Sequence, residues 1–190
     1  MKNYLLIILL LLSVTAFSQT ADRNNRLSSK KQWFVSAAYG VQMSGIKGED
    51  FISKNVAPAI LINTGVWFTP EIALQLGYKG PYFNTIADDD KHPYYFIFGE
   101  VLLNMNELIN GRKENKSRWN LILHPGAGYF YNTYYDQLNV CGNLGVLNNI
   151  KIINHIEAFV DISFIVGWDI YQGDDDILPS AVMGLSYSFH

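Results

Sequence analysis

Four histidines and a few carboxylates are the groups in this 190-residue chain that could carry acid–base or metal chemistry: His92, His124, His155 and His190, with Glu71, Glu100, Glu157 and Asp161. A general base needs a partner within hydrogen-bond reach of the proton it moves. No histidine here has a serine two residues on, and no two stand at metal-ligand spacing. His124 comes nearest to a constellation, since it could approach Asp161 or Ser163 between strands, but a satisfied interior histidine is the plainer account. Acidic stretches at Glu49–Asp50, Asp88–Asp90 and Asp174–Asp176 could take up Ca²⁺ or Mg²⁺. The EF-hand glycine and spacing are missing, so solvated loops explain them better. The sequence is therefore read as non-enzymatic, with no catalytic residue, metal site or cofactor.

The segments that must position these groups alternate with a period of two. They run over Trp33–Met43, Ala59–Phe68, Ile72–Tyr82, Tyr94–Leu103, Trp119–Tyr131, Leu138–Leu147, Ile156–Trp168 and Pro179–Phe189. Most are near the roughly 9–11 residues that a tilted strand needs to cross a bilayer. The links also alternate. Those after the second, fourth and sixth strands are "TP", "NMNELINGRKENKSR" and "NNIKIINH"; those after the odd strands are "SGIKGEDFISKNVAP", "FNTIADDDKHP", "NTYYDQ" and "DIYQGDDDIL". Val101, Met105 and Leu108 have helical spacing, which predicts a turn or two of helix in the Asn104–Arg118 link.

The alternation separates two faces. Leu121, Leu123, Ala127 and Tyr129 oppose Asn120, His124, Gly126 and Gly128; Ala158, Val160, Ile162, Phe164 and Val166 oppose Glu157, Asp161, Ser163 and Gly167. The polar face is sparsely charged and rich in small residues, which suits a narrow enclosed lumen better than a solvated exterior. That predicts lipid outside and polar packing inside. Glu71, Gln75, Lys79, Glu100, His124, Glu157 and Asp161 are then expected to form a lumen network. A plug is favoured over a water-lined path, because eight strands leave little free width. The carboxylates outnumber Lys79, so some must be protonated or solvated. Aromatic rings are expected in two girdles: Trp33, Phe68, Trp119, Tyr187 and Phe189 at the inner rim, and Tyr78, Tyr82, Tyr94, Tyr131 and Trp168 at the outer rim.

Composition agrees with this reading. Tyr (12), Phe (11) and Trp (4) are frequent, and a net charge of −3 argues against nucleic-acid binding. A single cysteine, Cys141, excludes an internal disulfide framework. "MKNYLLIILLLLSVTAFSQT" has the charged, apolar and small-residue order of a cleavable secretory signal. The expected organisation is a signal over residues 1–18, a disordered periplasmic lead-in over 19–31, and one barrel domain over 32–190.

The segments "RWNLILHPGAGYFYN" and "AVMGLSYSF" resemble the small eight-stranded outer-membrane barrels of the OmpA/OmpX type, from about Trp33 to the end of the chain. The resemblance implies an all-β, antiparallel up-and-down transmembrane barrel with eight strands. It also implies that "AVMGLSYSF" serves as the strand recognised by the barrel-assembly machinery, although His190 follows the usual terminal aromatic. No peptidoglycan-binding domain is expected after Phe189. The function expected is a non-enzymatic outer-membrane barrel, exported by the general secretory pathway, with a structural or surface-interaction role or a very narrow pore. Its partners are outer-membrane lipid and the assembly machinery, and it is a monomer. Two alternatives predict different behaviour: a soluble periplasmic barrel holding an apolar ligand, and an enzyme modifying outer-membrane lipid.

Overall fold

The structure is a computed structural model that describes residues 31–43, 56–84, 91–110, 118–168, 170 and 175–189. Alternating β-branched and aromatic residues give eight strands: β1 Gln32–Met43, β2 Val56–Trp67, β3 Ile72–Asn84, β4 Lys91–Asn104, β5 Trp119–Asn132, β6 Gln137–Ile153, β7 Ile156–Trp168 and β8 Asp175–Phe189. Each pairs antiparallel with the next, and β8 pairs with β1, so the sheet closes into an up-and-down barrel. The closing seam runs from Trp33–Phe189 to Gln42–Ser180. We call the end holding Gln32 and Phe189 the inner end, and the opposite end the outer one. The expected leader and most of the lead-in, the Glu49–Asp50 and Asp88–Asp90 stretches, Asp174 and His190 lie outside the described residues.

The tight connections explain how the alternation is kept in register. Between β2 and β3, the Thr69 hydroxyl accepts from the amides of Glu71 and Ile72 at 3.3 and 3.1 Å. Between β5 and β6, the Asn132 carboxamide oxygen accepts from the Tyr134 amide at 3.0 Å, and Asp136 takes the left-handed backbone conformation (φ 53°) that completes the turn. After β4 comes one short helix, α1 Met105–Asn110, where the spacing predicted helix. Asn104 caps it through its side-chain oxygen, 3.1 Å from the Asn106 amide. Asn106 then ties α1 to the start of β5, accepting from the Leu121 amide at 3.0 Å.

Several strands are longer than the sequence predicts. β2, β4 and β8 start earlier, at Val56, Lys91 and Asp175. The largest difference is in "NNIKIINH", expected as an eight-residue link. Here β6 runs on to Ile153, with a register shift between Lys151 and Ile153, and only Asn154 and His155 turn the chain. Asparagines usually signal a turn, but these have partners inside the sheet. Asn149 donates to Glu157 at 2.7 Å, and Asn148 accepts from the Trp119 indole.

Candidate functional site

Inward-facing residues form three layers along the barrel axis. The middle one is polar. Lys79, on β3, is 1 % exposed and donates to the hydroxyls of Ser163 (2.8 Å) and Ser180 (3.0 Å). Glu100, on β4, accepts from Gln75 and Asn143. His124 sits between two carboxylates, its Nδ1 3.2 Å from Glu100 and its Nε2 3.4 Å from Asp161. These are ion-pair distances without hydrogen-bond alignment. Asp161 lies two strands away on β7. The reach is possible because Gly145 stands between them on β6, where any Cβ would collide with the imidazole.

The structure thus brings together Gln75, Lys79, Glu100, His124 and Asp161. It adds Asn143, Ser163 and Ser180, which the sequence reading left out of the network. Lys79 and, when protonated, His124 are the cations within reach of Glu100 and Asp161 in this layer. Glu157 stands apart near the inner mouth, half-buried against Asn149. Glu71 does not join the layer either. It lies in the Phe68–Glu71 link, where its carbonyl accepts from the Asn104 amide at 2.8 Å. Glu71 precedes Gln75 by four strand positions, about 13 Å at ~3.3 Å per residue, beyond the reach of its side chain.

Polar packing does not fill the whole interior, contrary to expectation. Toward the outer end the lumen is closed by Phe83, Tyr94, Phe96, Phe130, Ile165 and Leu178. Toward the inner end Phe34, Leu102, Ile122, Leu147 and Phe159 do the same. Two residues assigned elsewhere from the sequence belong to the outer layer. Tyr94 was expected in the lipid girdle but is 3 % exposed, stacked on Phe130 and donating to Gln42 at 3.0 Å. Its neighbour Tyr95 takes the outward place and stacks on Tyr131 at 4.9 Å. His92, expected in a loop, is an inward residue of β4 packed against Phe83, Tyr134 and Tyr135.

The exterior is a belt of exposed apolar side chains: Ile60, Ile62, Leu74, Leu76, Val140, Leu144, Val160, Ile162, Met183 and Leu185 among others. Trp33, Phe68, Trp119, Tyr187 and Phe189 are exposed at the inner end. Tyr78 and Tyr82 are exposed toward the outer end, and the Tyr131 hydroxyl there donates to Asp136. The side chain of Trp168 lies outside the described residues. No helix among the described residues is long and apolar enough to cross a membrane; strands are the elements that present an apolar surface. Asn63, Asn143, Asn149, Ser163, Ser180 and Ser188 face inward with the charged groups, as the alternation predicted, whereas Asn148 faces outward beside the Trp119 indole.

Chemistry at the polar layer is sterically shut off. His124 is 1 % exposed, with apolar layers above and below. The inner mouth holds a cavity of about 30 Å³ beside Phe34, Trp67, Glu157 and Ser188, room for a water or two. Among the described residues, no group of histidine, cysteine and carboxylate could hold a metal.

A closed eight-stranded barrel with an apolar exterior and its charges buried at mid-height has the fold of the small outer-membrane barrels. Solved structures agree. The N-terminal barrel domain of Pseudomonas aeruginosa OprF matches with a TM-score of 0.55 at 11% identity, over 84% of this chain and 100% of that one. Neisserial surface protein A matches at 0.52 and 12% identity, over 84% and 97%. Ail, the attachment invasion locus protein of Yersinia pestis, matches at 0.51 and 12% identity, over 84% and 99%. At such identities the likeness is one of fold. No protein-family model and no curated sequence matches the chain.

Proposed function

We propose that this protein is a non-enzymatic integral barrel of the bacterial outer membrane, plugged rather than conducting, with a structural or surface-interaction role. The observation that carries the proposal is the exposed belt of aliphatic side chains around a closed sheet. In water such a belt would be an aggregation surface. In hydrocarbon it is the required exterior, because closure leaves no unpaired strand edge. The same belt disfavours the soluble periplasmic barrel, whose apolar face would have to look inward. The burial of His124 disfavours a lipid-modifying enzyme.

Export through the general secretory pathway, insertion by the barrel-assembly machinery through β8, and a monomeric state in lipid complete the reading. A role at the cell surface is supported by the names of two fold neighbours, a surface protein and an attachment invasion locus protein. The test is fractionation with gel migration. The detergent-extracted protein should run as a compact band that shifts on boiling. Recovery as a stable, detergent-free monomer from the periplasm would refute the assignment.

A further inference from the structure

The β4–β5 seam lapses at one place. Thr133 donates its amide to the Pro93 carbonyl at 3.0 Å, so the odd-numbered residues of β5 direct their backbone groups at β4. Pro125 is one of these and stands opposite Val101, yet it has no N–H to give the Val101 carbonyl. Pairing accordingly runs as far as Glu100–Gly126, stops, and resumes in the same register at Leu103–Leu123. Proline inside a sheet is ordinarily confined to an edge or a bulge. Here it sits within a strand of a closed barrel.

A groove of about 520 Å³ lies over this lapse, on the outside of the barrel, with Trp33, Thr64, Leu76, Val101 and Pro125 among its walls. Gly99 keeps part of it open. A Cβ built there would meet nothing nearer than Leu76 Cδ2 at 3.6 Å, so the missing side chain leaves free space. Trp33 and Phe68 place the lower lip at the inner end. Thr64, on the wall, turns its hydroxyl to the Phe34 carbonyl at 3.2 Å, and Gln75 and Glu100 are bonded to each other inside the barrel. The rest of the lining is hydrocarbon, continuous with the belt that faces lipid.

We propose that this groove is a binding site for one acyl chain of an inner-leaflet phospholipid. The inference rests on the membrane reading above. A methylene chain is the occupant that the surroundings supply. It is flexible enough to follow a groove floored by a glycine and a proline, and it needs no polar partner. Its headgroup would lie level with Trp33 and Phe68, where rings of this kind favour the lipid boundary. Filling the gap over the lapsed pairing also shields the seam from water.

The test uses the full chain with Trp67, Trp119 and Trp168 replaced by Phe, which leaves Trp33 as the fluorophore on the groove wall. The protein is reconstituted in phosphatidylcholine bilayers with a rising fraction of lipid brominated on its acyl chains. One retained chain quenches Trp33 in direct proportion to the brominated fraction, whereas random contact with several lipids gives a curve that falls steeply at first and then levels. Gly99→Leu, which fills the groove from an open position, should convert the proportional curve to the early-levelling one. Pro125→Ala, which restores the missing donor, should move the curve in the same direction. Curves that level early and are identical in all three proteins overturn the proposal. So does shielding of Trp33 that grows with protein-to-lipid ratio, as a second copy in the groove would produce. If Trp33 is never quenched and the protein stays in the aqueous phase, the membrane reading itself has failed, an outcome distinct from the other two.

Discussion

At the scale of single residues, the buried polar layer is the feature whose energetics can be tested most directly. Lys79 lies near Asp161 and Glu100 and donates to two serines, with essentially no solvent access. Removing one member of a buried charged set leaves its partners uncompensated, at a cost of about 3–5 kcal/mol. Lys79→Met should therefore destabilise the barrel by about that amount, measured as a lower midpoint in urea titrations of the compact band. Replacing Lys79 together with Asp161 by Met and Leu should recover much of the loss. Double-mutant stability equal to the sum of the singles would mean that the pair is not coupled.

The sequence indicated the inward parity of Lys79, Glu100, His124 and Asp161 because apolar residues alternate on the opposite parity of the same strands: Leu74, Leu76 and Tyr78 before Lys79, Ile97 and Val101 about Glu100, Leu121 and Leu123 before His124, and Val160 and Ile162 about Asp161. Tyr94 was misplaced for the opposite reason. In "YYFIF" five apolar residues follow one another, so no contrast marks which of them face in. The bridge from His124 to Asp161 was also hidden, since it depends on the empty position at Gly145 on the intervening strand. Glycine in a strand reads only as a weak spot.

At the scale of elements, the strands run to between 12 and 17 residues, more than the roughly 9–11 needed to span a bilayer. The excess at β6 lies at the inner end, where Ile152 and Ile153 remain exposed. Strand existence was readable because alternation is periodic; strand ends were not, because asparagines that look like turn formers have partners within the sheet. The orientation of each strand leads to a sharp prediction. Ile162 sits at the middle of β7, exposed on the outer face. Ile162→Arg should cost about 2–4 kcal/mol in lipid, whereas the same change at the exposed rim residue Tyr187 should cost much less. Equal costs in a lipid-vesicle unfolding titration would argue that depth in a bilayer is irrelevant to this wall.

At the scale of the whole molecule, the three-layer interior decides transport. Polar groups at mid-height are capped on one side by Phe83, Tyr94, Phe96 and Phe130, and on the other by Phe34, Ile122 and Phe159. A continuous water file would have to cross both caps. Reconstituted in a planar bilayer, the protein should show no steady conductance above the lipid baseline. Discrete single-channel steps from homogeneous protein would require one of the aromatic caps to move. This layering was out of reach from the sequence, since alternation says which residues face in but not at what height residues of eight strands meet.

The pairing of Trp33 with Phe189 bears on timing. The first strand has no partner on one side until the eighth arrives, so every earlier stage is an open ribbon with two bare margins. A chain halted before β8 could still form hairpins, but its margins would stay available to other chains. Sealing that seam turns a ribbon with two sticky margins into an inert cylinder.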